Sequence, residues 1–283
     1  MSIKKKIEEK GIPLSDWNIS INYGIKTGYN DAFIIDETTK NTLVASDPKS
    51  AELIRPILRG KDIKRYTYHF ADLWLIYIPW HFPLQNDPTI KGASKKAELE
   101  FKKQYPAVYA YLETHKEKLS KRNKAETGIR YEWYALQRWG SNYSDDFYEQ
   151  NIAWQRITHE NTFCLTTNNM VILDSMAFIN GAKDKTNYLL AVLNSTLVRF
   201  WIKKNVPEYG NSGYRLSNQF VTQIPIPLNP PTDYLSLINK YVEEYMKHTI
   251  FDAVSKIDDV VFKIYNLTDN EINYIKSGIY LNK

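Results

Sequence analysis

Cysteine, histidine and glycine are all scarce in this chain of 283 residues, which holds one Cys, five His and 11 Gly. The single cysteine, Cys164, excludes an internal disulfide and any zinc site built on thiolates, so the chain reads as an intracellular, cytoplasmic protein. His69, His81, His115, His159 and His248 form no His-x-x-x-His or His-Glu-x-x-His pair, which argues against a zinc hydrolase. His159-Glu160 reads as a polar strand end rather than an acid–base pair. The glycines build no phosphate-cradling or nucleophile-elbow motif, and Gly24 and Gly28 are wrongly spaced for a dinucleotide fingerprint. No apolar run approaches the ~20 residues of a membrane span, and the first ten residues are charged, so no membrane partner and no signal peptide are expected. Fixed-period repeats and low-complexity tracts are also missing.

The composition, 43% hydrophobic and 24% charged, is that of a folded chain able to bury one large core or two modest ones. The net charge of +5 permits a polyanionic partner without demanding one. Aromatic residues reach 14%, with 21 Tyr and 7 Trp, enough to furnish a recognition surface as well as a core. The charge is unevenly spread. Residues 91–130 hold eleven basic side chains against five acidic, more net charge than the whole chain carries, and residues 55–65 add Arg55, Arg59, Lys61, Lys64 and Arg65 against Asp62 alone.

Hydrophobic spacing divides the chain into a lead-in helix over residues 1–11, a mixed α+β region over 12–228 and a helical region over 232–283. Apolar alternation from Trp17 to Ile35 around Gly24–Asn30 predicts strand, loop and strand. Asp47-Pro48 predicts a capped short helix running to about Arg55. Trp74–Trp80 predicts a strand, and residues 91–130 predict helix broken at Pro106. Further strands are expected at 151–157, 163–166 and 170–173, then one amphipathic helix over 185–203 and a Gly- and Asn-rich loop over 205–215. Pro225–Pro231 is the clearest boundary. Beyond it, Tyr234–Tyr245 and then Ile250, Val254, Ile257, Val260, Val261 and Ile264 keep helical spacing. The fold class expected is α/β in the mixed α+β sense, with a partly antiparallel sheet and a helical C-terminal region acting as support.

Two fragments mimic DNA-modifying chemistry. Asn229-Pro230-Pro231-Thr232 is similar to the tetrad with which amino-methyltransferases grip an extruded base, but Thr232 replaces the stacking aromatic. Asp87, Glu100 and Lys102 mimic a nuclease set, yet Glu100 falls on a predicted helix rather than a strand. No catalytic residue and no metal ligand are therefore assigned.

Taken in order, Ile21–Ile35, Ile57–Tyr66, Trp154–Ile157, Tyr188–Ser195, Gln223–Pro227 and Ile257–Ile272 resemble the TaqI-like C-terminal specificity domain of type IIG restriction–modification enzymes and adenine-N6 DNA methyltransferases, over about residues 12–275. The resemblance implies a target-recognition module for double-stranded DNA. It implies a partner methyltransferase domain, in the same bacterial polypeptide or a separate subunit, that methylates adenine. S-adenosylmethionine and any Mg²⁺ would belong to the missing domains, and no cofactor to this chain. On this reading Lys26, Arg59, Lys61, Lys64 and Arg65 hold phosphates, while Arg138, Gln137, Arg215, Arg130 and Tyr214 read bases. The alternatives are a DNA-acting nuclease subunit and a carbohydrate-recognition module.

Overall fold

A computed structural model describes residues 2–248 and 251–280. The chain starts with α1 (Ile3–Lys10), capped by the Ser2 hydroxyl, followed by β1 (Ile12–Pro13) and β2 (Ser20–Tyr23). Then come α2 (Asn30–Phe33), β3 (Ile34–Asp36), α3 (Glu37–Ser46), β4 (Ile54–Leu58) and β5 (Leu73–Ile76). Three helices follow, α4 (Lys95–Gln104), α5 (Pro106–Glu113) and α6 (Lys116–Lys121), with Pro106 opening α5, where its missing N–H costs nothing. The strands β6 (Ile152–Gln155), β7 (Ile157–Thr158), β8 (Phe163–Leu165), β9 (Val171–Ile172) and β10 (Met176–Asn180) lie ahead of α7 (Thr186–Leu193) and α8 (Thr196–Asn205). β11 (Tyr214–Arg215), α9 (Asn218–Val221) and β12 (Pro225–Ile226) lead into α10 (Thr232–His248), α11 (Phe251–Ile264) and α12 (Asp269–Tyr280).

The mixed α+β class and the helical C-terminal region stand as expected. One sheet, ordered β2-β10-β6-β8, is antiparallel throughout; the second, β3-β5-β4-β9, is antiparallel except where β4 meets β9. The first sheet is the centre of the molecule. Ile152 and Trp154 of β6, Phe163 and Leu165 of β8, and Ala177 and Ile179 of β10 face a core shared with α7, α8 and the C-terminal helices. Their alternates Ala153, Cys164, Met176 and Phe178 face a second core, shared with the β3-β5-β4-β9 sheet and α4–α6. The period-two pleat thus sends successive side chains into opposite cores, so both faces are apolar.

Four expectations need correction. The strand Met176–Asn180 was not expected, although it is the inner strand joining β2 to β6. The segment 185–203 is two helices, because Ser195 caps α8 by accepting the Val198 N–H and the Asn194 amide turns aside to bond both the N–H and the C=O of Phe163. The turn after Asp47 is a 3-10 helix that stops at Leu53. A helical turn, α2, precedes the strand at Ile34. Ile250, counted above in the helical spacing, lies outside the described residues, as do Leu281–Lys283.

α1 is docked on the C-terminal helices. Ile7 is buried, and Lys6 Nζ lies 2.7 Å from Glu271 Oε2. Gly11 lies against β12; a Cβ there would come within 2.4 Å of the Pro225 carbonyl carbon. The hydrogen bond from Lys6, followed by the Thr268 N–H, brings the Glu271 carboxyl down to about 2, from an ordinary value of 4.5. A depressed carboxyl stabilises the fold fully above its unfolded value and loses that contribution as pH falls through its folded one. The difference in thermal midpoint between the native chain and Glu271→Gln should therefore be largest above pH ~5 and shrink between about 4.5 and 2. A midpoint difference that does not change over that window would rule the contact out as the source.

Candidate functional site

β10, β6 and β8 are covered on both faces while the edge strand β2 is half-buried, so the sheet's polar side chains emerge at its ends and along that edge. At one end the register places Tyr23 opposite Ala177 and Gln155 opposite Met176, so the last residues of β2 and β6 flank the start of β10. Just beyond lie Lys26, Arg156, Asp174 and Ser175. The Arg156 guanidinium sits 5.0 Å from the centre of the Tyr23 ring and donates to the Asp174 carbonyl. The short β7–β11 ladder pairs Ile157 with Arg215 and Thr158 with Tyr214. Gln155, Arg156, Asp174, Ser175, Tyr209 and Arg215 thereby share a recess of about 430 Å³.

A second recess, about 310 Å³, is lined by Trp80, His81, Gln85, Arg138, Trp139, Gly140, Ser141, Asn142 and Tyr143. It is tied to the sheet end by a two-way backbone bridge, Lys26 N–H to Arg138 O at 3.0 Å and Arg138 N–H to Lys26 O at 2.9 Å. Tyr143 spans the two regions. Burial raises the pKa of its hydroxyl, nearby Arg138 opposes that and Tyr23 adds to it, so both neighbours act on one ring. Gly140 holds φ +76°, and a Cβ there would lie 2.7 Å from the Tyr143 ring, so only glycine allows this approach.

The residues singled out from the sequence are placed unequally. Arg138, Arg215 and Lys26 are exposed at this end. Lys61 and Lys64 are exposed on the turn that lies against β6, where a Cβ on Gly60 would meet the Gln155 side chain at 2.9 Å. Among the described residues none of these five cations forms an ion pair. Arg59 is different, since its guanidinium grips Asp62 at 2.8 and 2.9 Å. Arg65 points inward, donating to the Asn194 carbonyl near buried Asp258. Gln137 is buried against Gly28. Arg130 is held by Glu126 at 2.9 Å and lies over the Trp80 ring. Tyr214 is half-buried, its hydroxyl raised by burial and by the Glu208 carboxylate. Arg156, Tyr23 and Tyr209 also lie at this end, although none is named above among the phosphate or base contacts.

Neither mimic assembles into a site. Glu100 is on α4 and bonds Gln104, Asp87 accepts from Thr89, and Lys102 lies over Tyr109. Asn229 accepts from Lys185 just ahead of α10. Among the described residues no three His, Cys, Asp or Glu side chains are grouped to hold a metal, and no helix is long and apolar enough to cross a membrane.

One buried arginine joins two of the loops at this end. Arg122, 8% exposed, has no carboxylate partner among the described residues; its guanidinium donates to the carbonyls of Thr27, Trp133, Ala135 and Leu119. Burial lowers its pKa to about 10, opposed by Tyr131, and it stays charged at neutral pH. It thus ties the Gly24–Gly28 loop, which carries Lys26, to the 133–138 segment, which carries Arg138.

Residues 55–226 match the profile of the TaqI-like C-terminal specificity domain, and the chain belongs to that family. No curated protein matches the chain. Among solved structures it shares its fold with the type IIL restriction-modification enzyme MmeI, determined in complex with DNA, at TM-score 0.57 and 16% identity over 93% of this chain and 35% of that one. The type IIG restriction endonuclease BpuSI aligns at TM-score 0.49 and 14% identity over 93% of this chain and 32% of that one. The chain thus spans about a third of the length of either enzyme.

Replacing Arg122 with Met keeps the bulk but leaves the carbonyls without a donor, and should cost about 3 kcal/mol in chemical denaturation. Arg122→Lys should recover only part of this, because one ammonium cannot reach the same set of acceptors. Equal stability of all three chains would show that the carbonyls find other partners.

Proposed function

We propose that this chain is the sequence-specific duplex-DNA recognition module of a restriction–modification enzyme. On this reading it presents a target adenine for N6 methylation by a methyltransferase domain that uses S-adenosylmethionine. The observation that carries the reading is the convergence of Lys26, Arg138, Arg156 and Arg215 with Tyr23, Tyr143 and Tyr209 at one end of a sheet whose faces are both covered. Unpaired cations on flexible stems suit phosphate oxygens, and guanidinium forks suit the O6 and N7 edge of guanine. Tyr23 and Tyr209, both exposed, add apolar contact with a polar tip. Family membership supports the same reading, and so does the fold shared with an enzyme solved on DNA. Pulling an adenine out of the stack is the expected way for a separate catalytic domain to reach it.

The two classes of contact separate experimentally. Lys26→Ala, Lys61→Ala and Lys64→Ala together should weaken binding to every duplex and lower the slope of log K against log salt by about one per lysine. Arg215→Ala should instead relax base preference at one position of the site by about 1–3 kcal/mol, read by competition among a pool of duplex sequences. Binding that is insensitive to salt, or lysine variants that shift sequence preference alone, would overturn the assignment.

A further inference from the structure

The recess beside Arg138 holds a polar pair that the contacts above leave unused. His81 adopts φ +61°, a strained conformation for a non-glycine residue, and is held there by Glu132. Glu132 is 3% exposed; one of its oxygens accepts the His81 backbone N–H at 2.8 Å, the other accepts His81 Nδ1 at 3.1 Å and the Ser94 N–H at 2.8 Å. A carboxylate only accepts, so Nδ1 carries a hydrogen, and in the neutral imidazole Nε2 is then the acceptor. Nε2 has no partner among the described residues, and His81 lines the recess together with Arg138 and Trp139. Two further walls of the recess are anchored by side-chain contacts. Trp80 stacks on Tyr131 with centroids 4.8 Å apart and donates to the Leu136 carbonyl, while the Tyr77 hydroxyl donates to the Trp139 carbonyl at 2.5 Å. The Trp139 ring pairs with no other ring or cation among the described residues.

We propose that this recess is a guanine site, in which a base withdrawn from the stack is held by Trp139, Arg138 and His81. Guanine carries two acceptors, O6 and N7, on one edge and two donors, N1–H and the N2 amine, on the next. A guanidinium fork together with one fixed imidazole acceptor complements that set. Adenine meets the fork with N7 alone, and a pyrimidine offers a smaller ring to the Trp139 face. Glu132 is a positioning residue, acting through the imidazole it orients. That the guanine belongs to DNA rests on the function proposed above; the pocket chemistry itself does not.

The test uses the whole chain and free mononucleotides, with binding read from quenching of tryptophan fluorescence and duplex binding measured separately by anisotropy. Guanosine monophosphate should bind at millimolar concentration at least about ten-fold more tightly than adenosine or cytidine monophosphate. Arg138→Gln and His81→Phe should each abolish that preference, whereas Trp139→Leu should weaken all three nucleotides together. Circular dichroism melting identifies any variant that has lost its fold, and Arg138→Gln, altering an exposed side chain, keeps the test decisive if His81→Phe unfolds. Equal affinity for the three nucleotides, no binding at millimolar concentration, or a guanine preference that survives both Arg138→Gln and His81→Phe overturns the proposal. Duplex binding without a guanine preference sinks the recess alone, whereas a guanine preference without duplex binding sinks the function proposed above.

Discussion

Burial of the β2-β10-β6-β8 sheet on both faces governs the rest of the molecule. With Trp154, Phe163 and Ile179 turned to one core and Cys164, Met176 and Phe178 turned to the other, neither face can touch a ligand. Polar side chains emerge instead towards the strand ends, where the backbone turns. The same burial makes that end rigid: a slip of one residue would exchange every side chain between the two cores. Tyr23, Arg156 and Lys26 therefore project from a platform whose register is fixed by packing on both sides.

Buried polar groups then fix the loops to the platform. Arg122 joins the 24–28 loop to the 133–138 segment, Asn194 bonds the edge of β8 from the turn between α7 and α8, and Glu132 clamps His81 to Ser94. Asp258 reaches from α11 to the Thr196 N–H at 2.8 Å, tying the C-terminal helices to the start of α8. Each link joins segments distant in sequence, and each is costly to break because its partner is left unsatisfied in the interior. The helices after Pro231 consequently share a core with α7 and the sheet instead of standing apart.

Local patterning in the sequence reached as far as local physics determines structure. Pro106 marks a real helix boundary, the tail reads as helix from its spacing, and the strand expected over 151–157 contains β6. The strand Met176–Asn180 is buried on both sides and shows a short apolar run, a pattern that periodicity alone does not separate from a buried helix segment. The break at Asn194 escaped because its cause, the bonds to Phe163, lies 31 residues away in sequence. Charges were the least legible feature. Arg59, Arg65, Arg122 and Arg156 look alike in sequence, yet one is gripped by Asp62, one turned towards Asn194, one buried under four carbonyls and one laid on Tyr23. Local sequence gives no acceptor for a guanidinium whose partner lies across the fold.

The same distinction reorders the basic surface. The stretch 91–130 has the largest excess of positive charge, but much of it is already engaged. Lys116 meets Glu98, Lys121 meets Glu117, Lys96 lies near Asp87, Lys118 bonds the Tyr29 hydroxyl and Lys102 lies over Tyr109. Cations so placed have part of their field answered locally, and their exposed pairs contribute little to stability. Lys26, Lys61, Lys64, Arg138 and Arg215 are fewer, yet none is in an ion pair among the described residues. A polyanion gains most from cations that no neighbouring acid or ring has claimed, because only these exchange water and counterions for phosphate. The small sheet-end cluster, rather than the strongly charged helical stretch, is therefore where a local charge count and a site diverge.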